Sequence, residues 1–256
     1  MNAGANQFDL FAAPAPETLE NKRALLVEVH TRLCGAYGCP VAHWAELDPL
    51  SELVSALLSH RTRNKESGAA FEALRRRFST WEAVRDAPTG EVREAIKTCN
   101  WPEQKAPRIQ TILRAITRRR GGELSLDFLA ELPSRAARDW LEQMPGVGPK
   151  TSAAVLSFSR LRMRALPVDS HHHRVAQRLG LIPPTLEVGP AHAALEALLP
   201  AEWDAQKVYD DHELLMFHGQ RCCFFRQPEC ARCVLLDLCP TGQERTRTAV
   251  AASRAD

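Results

Sequence analysis

Four cysteines crowded into one short segment constrain this chain more than any other feature: Cys223-x6-Cys230-x2-Cys233-x5-Cys239. Any fold must close these residues into a loop that brings four sulfurs round one point. In a chain of intracellular type such clustering points to metal rather than to disulfides. Zinc more often takes two CxxC-type pairs separated by a longer spacer, which keeps zinc as the alternative. A single loop carrying four thiolates suits a cubane 4Fe-4S cluster better. The expected ligands are therefore Cys223, Cys230, Cys233 and Cys239. Cys222 lies next door, but counting from it gives no better pattern. Cys34, Cys39 and Cys99 read as small core residues.

Around this loop the pattern is helical almost throughout. Ala, Leu, Arg and Glu are abundant while Tyr and Ile are sparse, which favours helix over sheet. In "DPLSELVSALLSHRT", Asp48 reads as an N-cap and Pro49 as a first-turn proline opening an amphipathic helix. Similar helices are expected around 65–78, 80–86, 90–98, 103–119, 125–131, 134–144, 149–160, 170–179, 190–199 and 204–219. No stretch alternates with period two, so no strand is expected. Residues 1–21 and the end of the chain after Pro240 read as unstructured tails. No apolar run approaches the roughly 18 residues of a membrane helix. No basic-then-apolar leader opens the chain, so the expected location is the cytoplasm.

The formal net charge is +2. The first 21 residues carry Asp9, Glu17 and Glu20 without a Lys or Arg, a net of −3, so the remainder is about +5 (+2 minus −3). Basic clusters at Arg75–Arg77, Arg118–Arg120 and Arg160, Arg162 and Arg164 suit phosphate contacts, although each alone is equally consistent with a solvated helix face.

"LEQMPGVGPKTSAAVLSFS" is a helix, a tight turn and a second helix. Gly146 and Gly148 flank Val147 in that turn, allowing backbone geometry closed to other residues and a close approach by a phosphate. Turn N–H groups backed by a helix N-terminus form an anion site. About twenty residues later "VDSHHHRV" places Asp169 before a helix, in N-cap position. Residues at i, i+1 and i+2 of a helix diverge, so His171, His172 and His173 cannot converge on one metal.

Taken together, "DPLSELVSALLS", "MPGVGPKTSAAVL", "VDSHHHRV", "HGQRCC" and the cysteine loop resemble the helix-hairpin-helix DNA glycosylases, and within them the endonuclease III branch. The likeness runs from residue 48 to 239. It implies an all-α, two-lobed fold: a six-helix barrel over 47–163, and an iron–sulfur helical lobe joining 22–46 to 164–240, flanked by tails 1–21 and 241–256. It implies a monomer acting on double-stranded DNA that contains damaged bases or abasic sites, with the active site between the lobes and no membrane partner. In this family the residue matching Lys150 attacks C1′ of the deoxyribose, expels the base and forms a Schiff base, and β-elimination then breaks the strand. Monofunctional relatives lack a lysine there. The residue matching Asp169 stabilises oxocarbenium charge and handles the lysine's proton. His171 matches a histidine of the family motif, while His172 and His173 are expected to face solvent or DNA. The implied activity is a bifunctional glycosylase/AP lyase for oxidised or ring-saturated pyrimidines. The alternatives are a glycosylase for mismatched or deaminated bases and a catalytically silent iron–sulfur DNA-binding protein, the latter opposed by intact Lys150 and Asp169.

Two positions depart from the family pattern. Arg61 stands where endonuclease III has a glutamine, and Asn100-Trp101-Pro102 replaces Gly-Leu-Tyr. In the family both loops enter the duplex and fill the gap left by the flipped nucleotide, so Arg61 and Trp101 join Gly146, Val147, Gly148 and His171 as expected DNA contacts. Leu57 occupies the position of the catalytic glutamate in the adenine-glycosylase branch, which also lacks the lysine, and both features argue against that branch. In the first tail, "QFDLF" resembles the bacterial sliding-clamp-binding pentapeptide, with Gln7, Leu10 and Phe11 as its anchors.

Overall fold

Several helix starts in this chain are set by side chains that accept the first N–H groups a helix leaves unpaired. Asp48 Oδ1 accepts from the N–H groups of Leu50 and Ser51, at 3.0 and 2.9 Å, with Pro49 in the first turn. Asp204 caps through the Lys207 N–H at 2.8 Å. The computed structural model describes residues 18–43 and 46–252, and no strand occurs among them. The helices are α1 (Leu19–Tyr37), α2 (Pro49–Ser59), α3 (Asn64–Arg77), α4 (Trp81–Asp86), α5 (Thr89–Ala95), α6 (Pro102–Arg119), α7 (Ser134–Glu142), α8 (Pro149–Phe158), α9 (Ser170–Arg178), α10 (Val188–Glu196), α11 (Ala205–Arg221) and α12 (Pro240–Ala252). Gln7, Leu10 and Phe11 lie outside the described residues.

Two apolar cores form. The first draws on α2 to α8, with Leu53, Leu58, Leu74, Ile112, Leu113 and Leu156 fully enclosed. The second joins Leu26, Val29 and Leu33 of α1 to side chains between Leu166 and Leu235, so the first helix packs with the last third of the chain. The hairpin before α8 belongs to the first core, and α9 and α11 belong to the second. Their packing sets the site at the seam.

Four local expectations are corrected. Residues 125–131 hold only a short 3-10 turn, Asp127–Glu131. The segment after Cys239 is not a tail but α12. Its amphipathic signal is weak because only its first turn packs, with Gly242 against Leu236 and its N–H directed at Cys239 Sγ. Cys34 and Cys39 are not simple core residues: they form a disulfide from the last turn of α1 to the segment just after it, with Cys39 exposed. His172 does not face solvent or DNA; it is fully buried, because α9 crosses α11 so closely that a Cβ on Gly219 would lie 2.8 Å from the Cβ of His171.

Candidate active site and cysteine loop

The hairpin between α7 and α8 turns on Gly146, whose φ of +82° is the left-handed region that glycine enters without strain. A Cβ there would also press on the Arg108 side chain at 3.3 Å, so a guanidinium from α6 lies over the turn. Val147 is buried and anchors the turn in the first core. Gly148 is the N-cap residue of α8, and its carbonyl accepts from the N–H groups of Thr151 and Ser152. Ser152 Oγ donates to Glu142 Oε1 at 2.7 Å, tying the two arms of the hairpin.

Lys150 stands in the first turn of α8, where the positive end of the helix disfavours an ammonium. Burial lowers its pKa, while the charges of Asp169, Glu52 and Glu213 act in the opposite sense. The direction that wins is down, toward a nucleophilic amine. Asp169 caps α9, accepting the His172 N–H at 2.7 Å. Burial pushes its carboxyl up, but His212 and that N–H more than offset this and hold it below the usual carboxylate range. The cap and the charge are thus one arrangement. Sequence reasoning missed two members of this group. Glu52 on α2 is pushed up by burial to about 7, with Lys150 pulling it down and Asp48 adding to the rise. His212 on α11 is lowered to about 4 by burial, and its ring stacks on His172 with centroids 5.7 Å apart. Both sit in segments, "SELV" and "DDHE", that carry no motif pointing to a site.

Beside Lys150 the two departing loops are held together. Lys105, buried on α6, donates through Nζ to the carbonyls of Leu58 and His60 and to Thr62 Oγ1, at 2.6, 2.9 and 2.8 Å. Asn100 Nδ2 donates to the Arg61 carbonyl. Arg61 and Trp101 both adopt left-handed backbone, φ +50° and +54°, a strain that non-glycine residues carry mainly where function requires it. Trp101 is 44% exposed. Between the loops opens a cavity of about 480 Å³ walled by His60, Arg61, Trp101, Lys105 and Arg108. His60 links it to the lysine helix through a 3.1 Å contact of its Nε2 with Thr151 Oγ1. Its ring is lowered to about 4, first by burial and then by the surrounding cations, so it is neutral at pH 7. Asp169 thus acts on Lys150 through its charge, and the loop of Arg61 reaches the lysine helix through His60 and Thr151. His171 sits beside Asp169 on α9 and contacts Arg174 Nη2 at 3.2 Å through Nδ1.

The cysteine loop lies at the other end of α9. Cys223, Cys230, Cys233 and Cys239 are unbridged and face one largely apolar cavity with Val175, Leu179 and Leu235. Three of the sulfurs accept N–H groups: Cys223 from Arg178 Nη1 at 3.1 Å, Cys233 from Leu235 at 3.4 Å, and Cys239 from Gly242 at 3.3 Å. Burial pushes the Cys233 thiol up to about 12 and raises Cys239 as well, so thiolates here need a bound cation. Four sulfurs, three of them with N–H donors, in a largely apolar pocket fit a thiophilic metal centre. Cys222 is closer to this set than its spacing suggests: its sulfur, Cys233 and His218 lie within 4.8 Å of one another. Arg174 and Arg178 grip the loop by its carbonyls, at Cys223, Phe224 and Phe225, and Arg174 also holds the Gly219 carbonyl of α11. One helix thus joins Asp169 to the loop.

An all-helical fold in two cores, a hairpin presenting a lysine and a capping aspartate opposite it define a DNA-repair glycosylase architecture. Residues 54–201 match the model of the HhH-GPD superfamily base excision DNA repair proteins, and the chain belongs to that superfamily. It is 30% identical over 210 residues to endonuclease III of Bacillus subtilis, covering 82% of this chain and 87% of that one. It is 30% identical over 217 residues to endonuclease III of Escherichia coli, with 85% and 95% covered. A putative DNA glycosylase of Arabidopsis thaliana is 31% identical over 196 residues; the match covers 77% of this chain and 65% of that relative's length. Among solved structures, a non-covalent endonuclease III–DNA complex superposes with a TM-score of 0.73 at 25% identity, over 90% of this chain and 99% of that one. A thermostable thymine-DNA glycosylase shares the fold with a TM-score of 0.68 at 22% identity, over 88% and 98%.

Proposed function

We propose that this glycosylase is bifunctional, excising oxidised or ring-saturated pyrimidines from duplex DNA and cleaving the resulting abasic strand. The observation that carries the reading is Lys150: an amine at a helix N-terminus, its ammonium disfavoured by burial, with the charge of the capping Asp169 acting on it more strongly than those of Glu52 and Glu213. The neutral amine attacks C1′ as the C1′–N bond to the base breaks. The base departs with the electron pair of that bond and a proton, and the Lys150 nitrogen, after losing a proton, becomes the Schiff base with the ring-opened sugar. Asp169 stabilises positive charge on the sugar and accepts protons from the lysine. Loss of a C2′ proton then expels the 3′ phosphate. The hairpin at Gly146 to Gly148 and Arg108 bind the backbone, and Arg61 and Trp101 fill the opened stack. Cys223, Cys230, Cys233 and Cys239 would hold a 4Fe-4S cluster, which when bound cross-links the loop that Arg174 and Arg178 fasten to α9. DNA bound to the endonuclease III complex supports the same partner here.

The experiment is borohydride trapping on a panel of duplexes carrying thymine glycol, dihydrouracil, uracil, mismatched thymine or an abasic site. Wild-type protein is expected to trap on the ring-saturated lesions and Lys150→Ala on none, while DNA affinity is largely kept. Trapping by Lys150→Ala would remove the lysine from the mechanism. The charged cavity at Arg61 and Trp101 favours a second reading, excision of mismatched or deaminated bases, which a preference for uracil or mismatched thymine would establish instead. We further propose a cytoplasmic enzyme at the nucleoid, tethered to the sliding clamp by Gln7, Leu10 and Phe11. Calorimetric titration of a peptide of residues 1–21 into a bacterial clamp is expected to give roughly micromolar affinity, near −8 kcal/mol. Binding that survives Leu10→Ala with Phe11→Ala would refute the tether.

A further inference from the structure

Away from the DNA-binding seam, α1 carries His30 and Cys34 four residues apart, so both side chains stand on one helical face. Gly38 ends the helix with φ +91°, and the reversed chain brings Cys39 back to Cys34. The donor atoms of His30, Cys34 and Cys39 all lie within 4.8 Å of one another. His30 Nε2 is 3.5 Å from Cys34 Sγ. On tetrahedral zinc, bonds of about 2.3 Å to sulfur and about 2.0 Å to nitrogen separate the two ligand atoms by roughly 3.5 Å. The helix already holds this pair at ligand spacing.

The second observation lies on the far side of the imidazole. Asp211 of α11 is 1% exposed, and neither of its oxygens has a hydrogen-bond partner. Its Oδ1 is 3.4 Å from His30 Nδ1, facing the ring without a formed hydrogen bond. A buried carboxylate left without donors is costly. An imidazole bound to metal through Nε2 carries its proton on Nδ1, and such a ring directs that N–H at a carboxylate. Metal on His30 would thus supply the donor that Asp211 lacks.

We propose that His30 and the reduced Cys34 and Cys39 form a second metal site, taking one Zn²⁺ ion, with Asp211 as the carboxylate that orients His30. Exposed Cys39 gives the ion its entry and leaves the fourth position to solvent. The disulfide is the metal-free, oxidised form of the same site. In the conversion the two thiolates give two electrons to a low-molecular-weight disulfide, form the Cys34–Cys39 bond and release Zn²⁺. The oxidant takes up two protons and leaves as two thiols. The site is chemically separate from the four-cysteine loop, and metal in it fastens the end of α1 to α11.

The test uses the full chain, purified without oxygen, reduced with a phosphine, incubated with Zn²⁺, desalted and analysed for iron and zinc by mass spectrometry. Reduced wild type is expected to hold about one zinc besides its iron, and the oxidised protein none. Cys39→Ser, at an exposed position that does not threaten folding, is expected to lose the zinc and keep the iron, as is His30→Gln. Asp211→Asn is expected to bind zinc about 10–100-fold more weakly in a chelator competition. Reduced wild type with no more zinc than the Cys34→Ser, Cys39→Ser double variant overturns the proposal. So does full zinc in Cys39→Ser, or zinc that appears only as iron is lost, which would place it in the four-cysteine loop.

Discussion

Glu52→Gln is the perturbation that tests the electrostatics of the site most directly. Glu52 lies on α2 beside Lys150, and burial carries its carboxyl from an ordinary 4.5 to about 7. That rise is worth about 3.4 kcal/mol between its two protonation states. The folded protein binds this proton more tightly than the unfolded chain. The contribution is therefore fully present below about pH 4.5 and is lost as pH rises through about 7. Between pH 5 and pH 8 the wild type is expected to lose about 2.5 kcal/mol of unfolding free energy from this group, the unfolded carboxyl being already partly ionised at pH 5. Glutamine cannot titrate, and every other group is common to both proteins. The stability of Glu52→Gln relative to wild type is thus expected to grow by about 2.5 kcal/mol from pH 5 to pH 8 in urea melts followed by helical circular dichroism. A difference that stays constant across this range would refute the reasoning. The same variant has a kinetic signature. The Glu52 charge raises the Lys150 pKa, so its removal is expected to move the rise of single-turnover trapping to lower pH. A shift to higher pH would show that Glu52 acts on the lysine in some other way.

Asp169→Asn keeps a side-chain oxygen for the His172 N–H, so stability is expected to change by less than about 1 kcal/mol while base release slows by about 100-fold or more. Normal turnover in a single-turnover gel assay would reduce Asp169 to a cap. Protein purified without oxygen is expected to contain about four irons per chain, with Cys223→Ser losing iron and Cys222→Ser keeping it. Iron lost from Cys222→Ser alone would transfer a ligand role to Cys222, whose sulfur lies near Cys233 and His218. Trp101→Ala is expected to weaken binding to a lesion duplex about tenfold or more, base–aromatic stacking being worth roughly 1–3 kcal/mol. Equal affinity of the two proteins in fluorescence anisotropy would show that this exposed indole never meets DNA.

What the amino-acid order determined by itself are the features whose cause is local. Asp48 followed by Pro49 starts α2 wherever that helix is placed, and Asp169 caps α9 for the same reason. Two glycines around Val147 force a turn, and four cysteines in one loop gather four sulfurs. These short-range rules placed Lys150, Asp169 and the four-cysteine loop on their elements, and they also set the limit of legibility. "DDHE" matches no motif, yet α9 packing on α11 buries Asp211 and His212 and couples His212 to Asp169. His172, expected to face solvent or DNA because only His171 matches the family motif, is enclosed by the close crossing at Gly219. Glu52 acquires a carboxyl that titrates near neutrality only because α2 lies against α8. The Cys34–Cys39 pair depended on a chain reversal at Gly38 rather than on any apolar pattern. Hydrogen-bond caps and ligand spacing act over a few residues of chain. Desolvation and charge coupling act through space, between helices that tertiary packing alone brings together.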